Sequence, residues 1–418
     1  MPATSVIRIE LAAIDANVAA VRRLVGPNCR LCPIVKADAY GLGAARIARR
    51  LAPASHLLAV YSPDQAVALG EEGLGVPLLV LMPVREVRRG DGLESLLAGG
   101  AAHLTIHDVA QAERLAGTAR RLGLRIPVHV EIDTGLRRGG VELGEAEDLV
   151  RRVAGEEALR LAGVMTHFSD SKRDPEQTRH QLSSFDAVLA RVELPESCLV
   201  HVSSTHALMR HPRFHRGMVR FGLAWAGYGS EDLPAEERLE GSDELRPAVS
   251  WSSEVVHVKR IAAGESVGYG STWTATRDTV VGLVPVGYAD GIPTRRGTPP
   301  ITLVRASGPL ASEAVPAPVI GAVSMDQITI DLTEAEQRLA AGGPLRRASM
   351  LGWQVELIGT DPHAPTHLPA VAARAGVLPH ELLCGLSPRI PRVHIAGLAS
   401  DASAPVVEVV RDASRVTA

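Results

Sequence analysis

Lys36 is the first residue whose type and position suggest covalent chemistry. It is one of only three lysines, with Lys172 and Lys259, among 44 basic residues, and it follows an apolar run at residues 31–35. A lysine at the end of a buried strand loses hydration, which lowers the pKa of its amine and makes it nucleophilic. The same position would also allow a lysine that reaches solvent or pairs with Asp38.

Polar residues also follow several later apolar runs. Hydroxyl groups and backbone N–H groups at Ser204, Thr205, Gly222 and Leu223 suit a phosphate. A nucleophilic amine that faces a phosphate site indicates pyridoxal 5'-phosphate (PLP), a cofactor that lysine binds as a Schiff base. Other candidates at the ends of these runs are Asp133, Arg138, His167, His201, His206 and Arg220.

The fold that would position these residues follows from the alternation of apolar runs with helical periodicity. Eight runs end near residues 36, 60, 82, 106, 132, 166, 202 and 222. This pattern predicts an α/β fold, a (β/α)8 TIM-type barrel over residues 1–245, whose active site lies at the C-terminal ends of the strands. An open doubly wound sheet is the alternative, but no Gly-x-Gly-x-x-Gly follows an early strand.

After residue 245 the pattern changes to short strand-like segments separated by glycine, proline and charged turns. The segments are residues 250–261, 279–286, 300–304, 319–323 and 327–332, and a short helix is predicted at 370–375. We therefore predict a mostly β C-terminal domain over residues 246–395. Residues 396–418 have no strong pattern, and we predict a flexible tail there.

Composition excludes several classes of function. The chain has 418 residues, 46% hydrophobic and 22% charged, with a net charge of −3, which favours a globular protein without a nucleic-acid surface. It has no apolar run of membrane-spanning length and no secretory signal pattern, so we expect a cytoplasmic protein. We expect the four cysteines to be reduced thiols, because Cys29 and Cys32 have no second pair with which to bind zinc.

Five motifs make the chain resemble the alanine racemase family, which is PLP-dependent. They occur in family order at residues 35–43 (VKADAYGLG), 267–273 (VGYGSTW), 286–291 (VGYADG), 323–327 (VSMDQ) and 383–393 (LCGLSPRIPRV). The resemblance implies that Lys36 carries PLP and transfers the α-proton on one face of the substrate. It implies that Tyr269, from the second subunit of a homodimer, does so on the opposite face.

The resemblance also implies the remaining roles at the site. Arg220 would face the pyridine nitrogen with His201 orienting it, and His167 and Arg220 would supply the field that Tyr269 needs. Arg138 would lie near the substrate carboxylate, and Tyr288 and Met325 would line the substrate side from the partner subunit. The phosphate would contact Tyr40, Ser204, Thr205, Gly222, Leu223 and His380.

Four positions depart from the family pattern. Glu131 stands where a carbamylated lysine is common, and we hypothesise that it pairs with Arg138, directly or through water. Ser204-Thr205 replaces Asn-Ser, His380 replaces a phosphate-binding tyrosine, and Ala322 replaces a frequent arginine. These changes leave Lys36 and Tyr269 in place but make the substrate less certain than the reaction.

We therefore expect an isomerase that interconverts L- and D-alanine. Its role would be D-alanine biosynthesis, since D-alanine is a peptidoglycan precursor. Racemisation of another small amino acid such as serine is an alternative, and the specialised or housekeeping role stays open. A barrel PLP lyase or aldolase acting on D-β-hydroxy amino acids is a second alternative. It needs a metal, and the spacing of His201, His206, His211 and His215 gives no convincing ligand set. A non-catalytic PLP carrier would lack the β-domain.

Overall fold

The computed structural model describes residues 4–294, 300–306, 314–339, 347–396 and 407–410. These residues form two compact units. One is Ile14–Arg246, and the other combines residues 4–13 with the described residues from Pro247 onward. The first strand, β1 (Val6–Glu10), lies in the second of these units.

The unit Ile14–Arg246 contains parallel strands that follow the predicted runs closely. Its strands are β2 (Arg30–Pro33), β3 (Leu58–Val60), β4 (Leu78–Pro83), β5 (Ala102–Ile106), β6 (Ile126–Asp133), β7 (Val141–Glu142), β8 (Leu159–Met165), β9 (Leu199–His201) and β10 (Met218–Phe221). The two-residue β7 pairs only with β6. The other eight strands form the sheet order β3-β4-β5-β6-β8-β9 and the pair β10-β2.

Two single bridges join these strands into a closed ring. Ile34, directly after β2, bridges Ala59 of β3, and Ser203 bridges Val219 of β10, both in parallel. Met218 pairs with Arg30, which joins β10 to β2. Eight parallel strands therefore close on themselves, and the predicted (β/α)8 barrel is confirmed.

Helices follow the strands where the sequence supplies capping residues. Ser62 accepts a hydrogen bond from the Gln65 N–H at 3.4 Å, and Asp108 accepts one from Gln111 at 2.6 Å. Gly123 ends one helix with φ 71°, in the left-handed region that favours glycine. The helices are Leu11–Val25, Ala44–Leu51, Pro63–Gly70, Gly92–Ala98, Val109–Leu122, Leu143–Gly155, Pro175–Leu189, Thr205–Arg210 and Leu223–Ala226.

The barrel strands are apolar on both faces because each contacts the barrel interior and the outer helices. Leu58, Ala59 and Val60 of β3 are all fully buried. A cluster inside this unit is formed by Cys32, Leu57, Ala59, Leu79 and Met218. Cys29 and Cys32, which we expected to be reduced thiols, are both buried and not joined by a disulfide.

The second unit is a mostly antiparallel sheet, as predicted. Its later strands are β11 (Val249–Glu254), β12 (His257–Ile261), β13 (Ser266–Val267), β14 (Trp273–Thr274), β15 (Thr279–Val284), β16 (Ile301–Arg305), β17 (Ala314–Ile320), β18 (Ile328–Asp331), β19 (Gln354–Ile358), β20 (Arg392–Ile395) and β21 (Val407–Val410). The main sheet has the order β12-β15-β18-β17-β16-β19-β11-β1-β20-β21. The helices are Thr333–Leu339, Leu368–Ala375 and Pro379–Cys384.

The clearest differences between the observed elements and the predicted ranges lie in four places. β1 was placed within residues 1–245, yet its buried Ile7 and Ile9 pair with β11 and β20. The range 250–261 is two strands, and the segment predicted at 319–323 stops at Ile320 because Gly321 turns the chain with φ 69°. Within 396–418, Val407–Val410 is a strand paired with β20, and the other residues of the predicted tail after 396 lie outside the described residues.

Candidate active site

Lys36 begins an unusual left-handed turn at the C-terminal end of β2. The four residues that follow it, none of them glycine, have φ values of 53°, 54°, 51° and 61° for Ala37, Asp38, Ala39 and Tyr40. Such a conformation is unfavourable for L-residues by roughly 1–2 kcal/mol each. Asp38 Oδ1 accepts a hydrogen bond from the Ala44 N–H at 2.7 Å, which ties the turn to the next helix. The chain thus keeps a strained backbone beside its candidate nucleophile.

Tyr40 and Gly222 form the floor of a small cradle. The Tyr40 ring stacks on Trp225 with centroids 5.7 Å apart and an interplanar angle of 14°. A Cβ atom on Gly222 would lie 1.9 Å from the Tyr40 hydroxyl, so only glycine fits there. Thr205 Oγ1 accepts hydrogen bonds from the N–H groups of Gly222 at 3.2 Å and Ala224 at 3.3 Å. Hydroxyl and N–H groups therefore gather where the sequence predicts phosphate binding.

Ser204 and Leu223 flank this cradle. The Ser204 hydroxyl lies 3.0 Å from the Ser171 hydroxyl, and Leu223 is buried at the start of the helix Leu223–Ala226. His380 lies in the second unit, in the helix Pro379–Cys384. The predicted phosphate ligands of the barrel are therefore close together, and His380 stays a prediction.

Arg220 is a buried guanidinium held entirely by neutral acceptors. Its Nη1 donates to His201 Nδ1 at 2.7 Å and to the His201 carbonyl at 3.0 Å, and its Nη2 donates to the Thr166 carbonyl at 2.8 Å. Among the described side chains, no carboxylate lies within 4.0 Å of Arg220. Burial lowers its pKa, an effect that the carboxylate of Glu131 partly opposes. A buried charge without a partner is costly, so this site is suited to an electron-rich ligand.

His167 lies beside Arg220, and its pKa is lowered by burial and by the positive charges near it. Its Nδ1 is 3.3 Å from Arg220 Nη2. Burial and then the positive charges of Arg220, Arg138 and Lys36 lower the pKa of His167 to about 3. His167 is therefore neutral at ordinary pH, and the three side chains whose charges lower its pKa are the predicted site residues Arg220, Arg138 and Lys36.

Glu131 faces His107 in this structure and makes no direct ion pair with Arg138. Pairing through water stays a prediction. Its Oε2 lies 3.5 Å from His107 Nδ1, which also accepts a hydrogen bond from the Gly140 N–H at 2.9 Å. His107 Nε2 lies 3.2 Å from the Leu81 carbonyl, so its proton belongs on that nitrogen. The hydrogen bonds and ion pairs of the described residues include none between Glu131 and Arg138.

In the second unit, three predicted residues lie on exposed loops. The exposed fractions of Tyr269, Tyr288 and Met325 are 77%, 47% and 55%. The Tyr288 N–H donates to the Ser324 carbonyl at 3.0 Å, which joins the loops of Tyr288 and Met325. A Cβ on Gly268 would lie 3.0 Å from the Ala322 nitrogen, so the Tyr269 loop packs against the same segment. We call these three residues the exposed aromatic–methionine patch.

Arg389 joins the loops of Tyr288 and Met325, a role that its local sequence does not indicate. Its Nε donates to Asp290 Oδ1 at 2.7 Å, and its Nη2 donates to Asp290 Oδ2 at 2.9 Å and Asp326 Oδ1 at 2.7 Å. These hydrogen bonds raise the pKa of Arg389. Asp290 Oδ2 also accepts the Gly287 N–H at 2.8 Å, which fixes the turn that carries Tyr288. Asp290, Asp326 and Arg389 all lie within the family motifs at 286–291, 323–327 and 383–393, and this was the sequence signal that could have identified them.

The four histidines considered as metal ligands have separate partners. His201 binds Arg220, His206 Nε2 lies 2.9 Å from Asp232 Oδ2, and His215 Nε2 lies 2.7 Å from the Leu208 carbonyl. His211 Nδ1 accepts the Arg213 N–H at 3.1 Å. No group of three potential metal ligands occurs in the parts of the chain that the structure describes. No helix there is long and apolar enough to span a bilayer.

Comparisons with known proteins identify close relatives of this architecture. The family model "Alanine racemase, N-terminal domain" matches residues 9–230, and "Alanine racemase, C-terminal domain" matches residues 248–394. The alanine racemase of Cutibacterium acnes is 31% identical over 94% of this chain and 98% of its own length. That of Laribacter hongkongensis is 35% identical over 92% and 96%.

Solved structures agree with these matches. The alanine racemase from D-cycloserine producing Streptomyces lavendulae has a TM-score of 0.79 and 26% identity, covering 95% of this chain and 98% of the other. The alanine racemase from Bartonella henselae, described with covalently bound pyridoxal phosphate, has a TM-score of 0.76 and 25% identity, covering 94% and 100%.

Proposed function

Since this chain belongs to the alanine racemase family and is an amino-acid racemase, an isomerase, we propose that it interconverts L- and D-alanine using PLP, with Lys36 and Tyr269 as proton-transfer groups. The observation that carries the proposal is the buried Arg220 at the barrel rim, whose guanidinium donates to His201 and to the Thr166 carbonyl and has no ion pair among the described residues. Burial and the positive charges of Arg220, Arg138 and Lys36 lower the pKa of the neighbouring His167. Such a site suits an anionic cofactor and a carboxylate substrate.

The residues present fit PLP. Tyr40, Ser204, Thr205 and the N–H groups of Gly222 and Leu223 would hold the phosphate, with His380 as a further donor. Because Gly222 has no Cβ, the Tyr40 hydroxyl can lie against the Gly222 backbone, which brings two of the proposed phosphate contacts together. When bound, PLP supplies an electron sink that lowers the barrier to removing the α-proton of an amino acid.

Lys36 and Tyr269 would move the proton at the α-carbon. Inversion requires one group on each face, and a positioned acid or base typically contributes about 10²–10⁴-fold to the rate. A free tyrosine has a pKa near 10, so only about 0.1% is ionised at pH 7. Because His167 is neutral, it would help Tyr269 by hydrogen bonding, and the positive field would come from Arg220.

Arg220 would also control the cofactor's ring nitrogen. A guanidinium stays protonated, so it offers a hydrogen bond to that nitrogen without giving up a proton. The ring would remain a weaker electron sink, which limits side reactions of a long-lived carbanion. Arg138 would orient the substrate carboxylate.

Tyr288, Met325 and Tyr269 support the proposal of a homodimer with shared sites. Large side chains exposed together on one set of loops are typical of an interaction surface. We propose that this patch completes the site of the partner subunit. The expected setting is the cytoplasm, where D-alanine would serve as a peptidoglycan precursor.

Two alternative activities can be distinguished from alanine racemisation by their substrates. Serine racemisation would use the same groups. A metal-assisted lyase acting on D-β-hydroxy amino acids is less favoured because the four histidines considered do not face one point.

The decisive experiment measures cofactor and chemistry separately. We expect visible absorbance that borohydride bleaches, and deuterium uptake at the α-carbon of both L- and D-alanine in D2O. K36A should lose the bleachable absorbance, whereas K259A, on the exposed face of β12, should keep it. L-serine, a basic amino acid and a D-β-hydroxy amino acid serve as competing substrates. Absence of α-deuteration in a chain that carries the cofactor would refute racemisation.

A further inference from the structure

A row of three buried histidines connects Arg220 to the opposite end of the barrel. His201 Nδ1 contacts Arg220 at 2.7 Å, His201 Nε2 contacts His129 Nδ1 at 2.8 Å, and His129 Nε2 contacts His103 Nδ1 at 2.9 Å. His129 and His201 are fully buried, and His103 is 7% exposed. We call His103, His129 and His201 the histidine column.

The barrel makes specific room for the middle ring. A Cβ atom on Gly163 would lie 2.2 Å from His129 Nδ1, so a side chain at that position of β8 would displace the imidazole. The pairing of β6 with β8 also shifts register between Val128 and His129. Two backbone adjustments at one residue indicate that the ring is accommodated by the strands around it and does not merely fill space between them.

The donors and acceptors of the column can be assigned from one end. A guanidinium only donates, so His201 Nδ1 must accept and the proton of His201 must lie on Nε2. His129 Nδ1 then accepts, and His129 Nε2–H donates to His103 Nδ1. Each histidine is therefore the Nε2–H tautomer, and the three rings share one direction of hydrogen bonding.

The far end agrees with this direction. It leaves the third proton on His103 Nε2, which faces Arg160 Nη2 at 3.4 Å, the longest separation in the series. Two donors facing each other explain that length, and Arg160 is partly exposed, so solvent can satisfy both. Burial lowers the pKa of His103 to about 3 and the pKa values of His129 and His201 well below the usual range, with nearby Arg220, Arg160 and His56 adding to the effect.

We propose that the histidine column is a positioning device that fixes the orientation of Arg220 without placing a carboxylate in contact with its guanidinium. A carboxylate in the place of His201 would hold the guanidinium equally well but would cancel its charge. The neutral His201 ring supplies a hydrogen-bond acceptor to Arg220 without a negative charge. His129 in turn fixes the orientation of His201, and His103 fixes that of His129. This inference rests on the proposed function, in which Arg220 faces the cofactor's ring nitrogen. His129 and His103 are then positioning residues that do not touch the cofactor.

Replacing His129 in two ways tests the column. In H129Q the amide oxygen can accept from His201 Nε2 and the amide N–H can donate to His103 Nδ1, so the direction is preserved. H129L removes both interactions at similar volume. V130A, which creates a cavity at the next position of β6, is the matched control for lost stability.

The readouts are the pH dependence of the bound cofactor's visible spectrum, the Kd for PLP, and kcat separately from KM. We expect H129Q and V130A to keep the parent spectrum and its pH dependence. H129L should shift that dependence and weaken PLP binding by about tenfold or more, as expected when a hydrogen bond to a charged group loses its geometry. Ring ¹⁵N NMR of the parent should give the Nε2–H tautomer for all three column histidines.

The outcomes separate the two proposals. A parent chain that binds no PLP refutes the proposed function and this role with it. A parent that binds PLP while H129L keeps the same spectrum and Kd overturns the column alone, as does an H129Q that behaves like H129L. If H129L does not fold, the tautomers of the parent decide, and an Nδ1–H proton on His201 overturns the inference.

Discussion

Replacing Gly222 with alanine should weaken both the fold and PLP binding, because the new methyl group meets Tyr40. Its Cβ would lie 1.9 Å from the Tyr40 hydroxyl and 2.9 Å from Cζ, so the ring must move. Overpacking of this kind costs about 1–3 kcal/mol, and loss of the stacking on Trp225 adds about 0.5–1.5 kcal/mol. For a unit of this size, the sum of about 1.5–4.5 kcal/mol corresponds to a Tm lower by roughly 3–18 °C.

The effect on the cofactor follows from the same displacement. A Tyr40 hydroxyl moved away from the cradle would lose a hydrogen bond to the phosphate, worth about 1.5–3 kcal/mol, or roughly 10–100-fold in the Kd for PLP. Calorimetric Tm and fluorescence titration with PLP measure the two effects separately.

Two further variants make this reasoning testable. In a double-mutant cycle with Tyr40→Phe, removal of the hydroxyl relieves the closest contact, so G222A/Y40F should recover part of the Tm but not the PLP affinity. G144A is the control because a Cβ at Gly144 meets nothing within 4 Å, and it should leave Tm unchanged or slightly higher. An unchanged Tm and Kd in G222A would refute the packing argument.

Three other predictions follow from the described contacts. The unfolding free energy, measured by urea titration, should fall as the pH drops from about 6.5 toward 3, because the histidines whose folded-state pKa is lowered take up protons only on unfolding. Each such histidine contributes a slope of about 1.4 kcal/mol per pH unit, so H129Q should reduce the total slope. R389Q should lower kcat, and R389K should restore little because lysine lacks the planar fork that joins Asp290 and Asp326; equal kcat in R389K and the parent would contradict this. Thiol titration of the native chain should label Cys384 fastest, because Cys384 is exposed whereas Cys29 is buried and burial raises its pKa to about 11. C384S should remove the fast phase of labelling.

The barrel was predictable because its evidence is local. Each parallel strand is a short apolar run, and the turns that follow carry the polar residues, so Lys36 and Arg220 could be placed at one rim from sequence order alone. Tyr269 depended on the motif resemblance, since nothing in its local pattern identifies a proton donor. The roles assigned to these residues stay predictions.

Contacts between distant residues were not predictable. His129 meets His103 and His201 across sequence separations of 26 and 72 residues, and Arg389 meets Asp290 across 99. A lone histidine in an apolar run shows no partner until the strands are aligned. β1 was misplaced for the same reason, since its partners are more than two hundred residues away.

The turn after Lys36 also has a stereochemical consequence. Its residues Ala37 and Ala39 hold φ values of 53° and 51°, the mirror image of a right-handed helix, which a D-amino acid adopts without strain. A semisynthetic chain carrying D-alanine at the exposed Ala37 should gain roughly 1–2 kcal/mol in unfolding free energy. The backbone of a proposed D-alanine producer thus contains a position that would itself be better filled by its product.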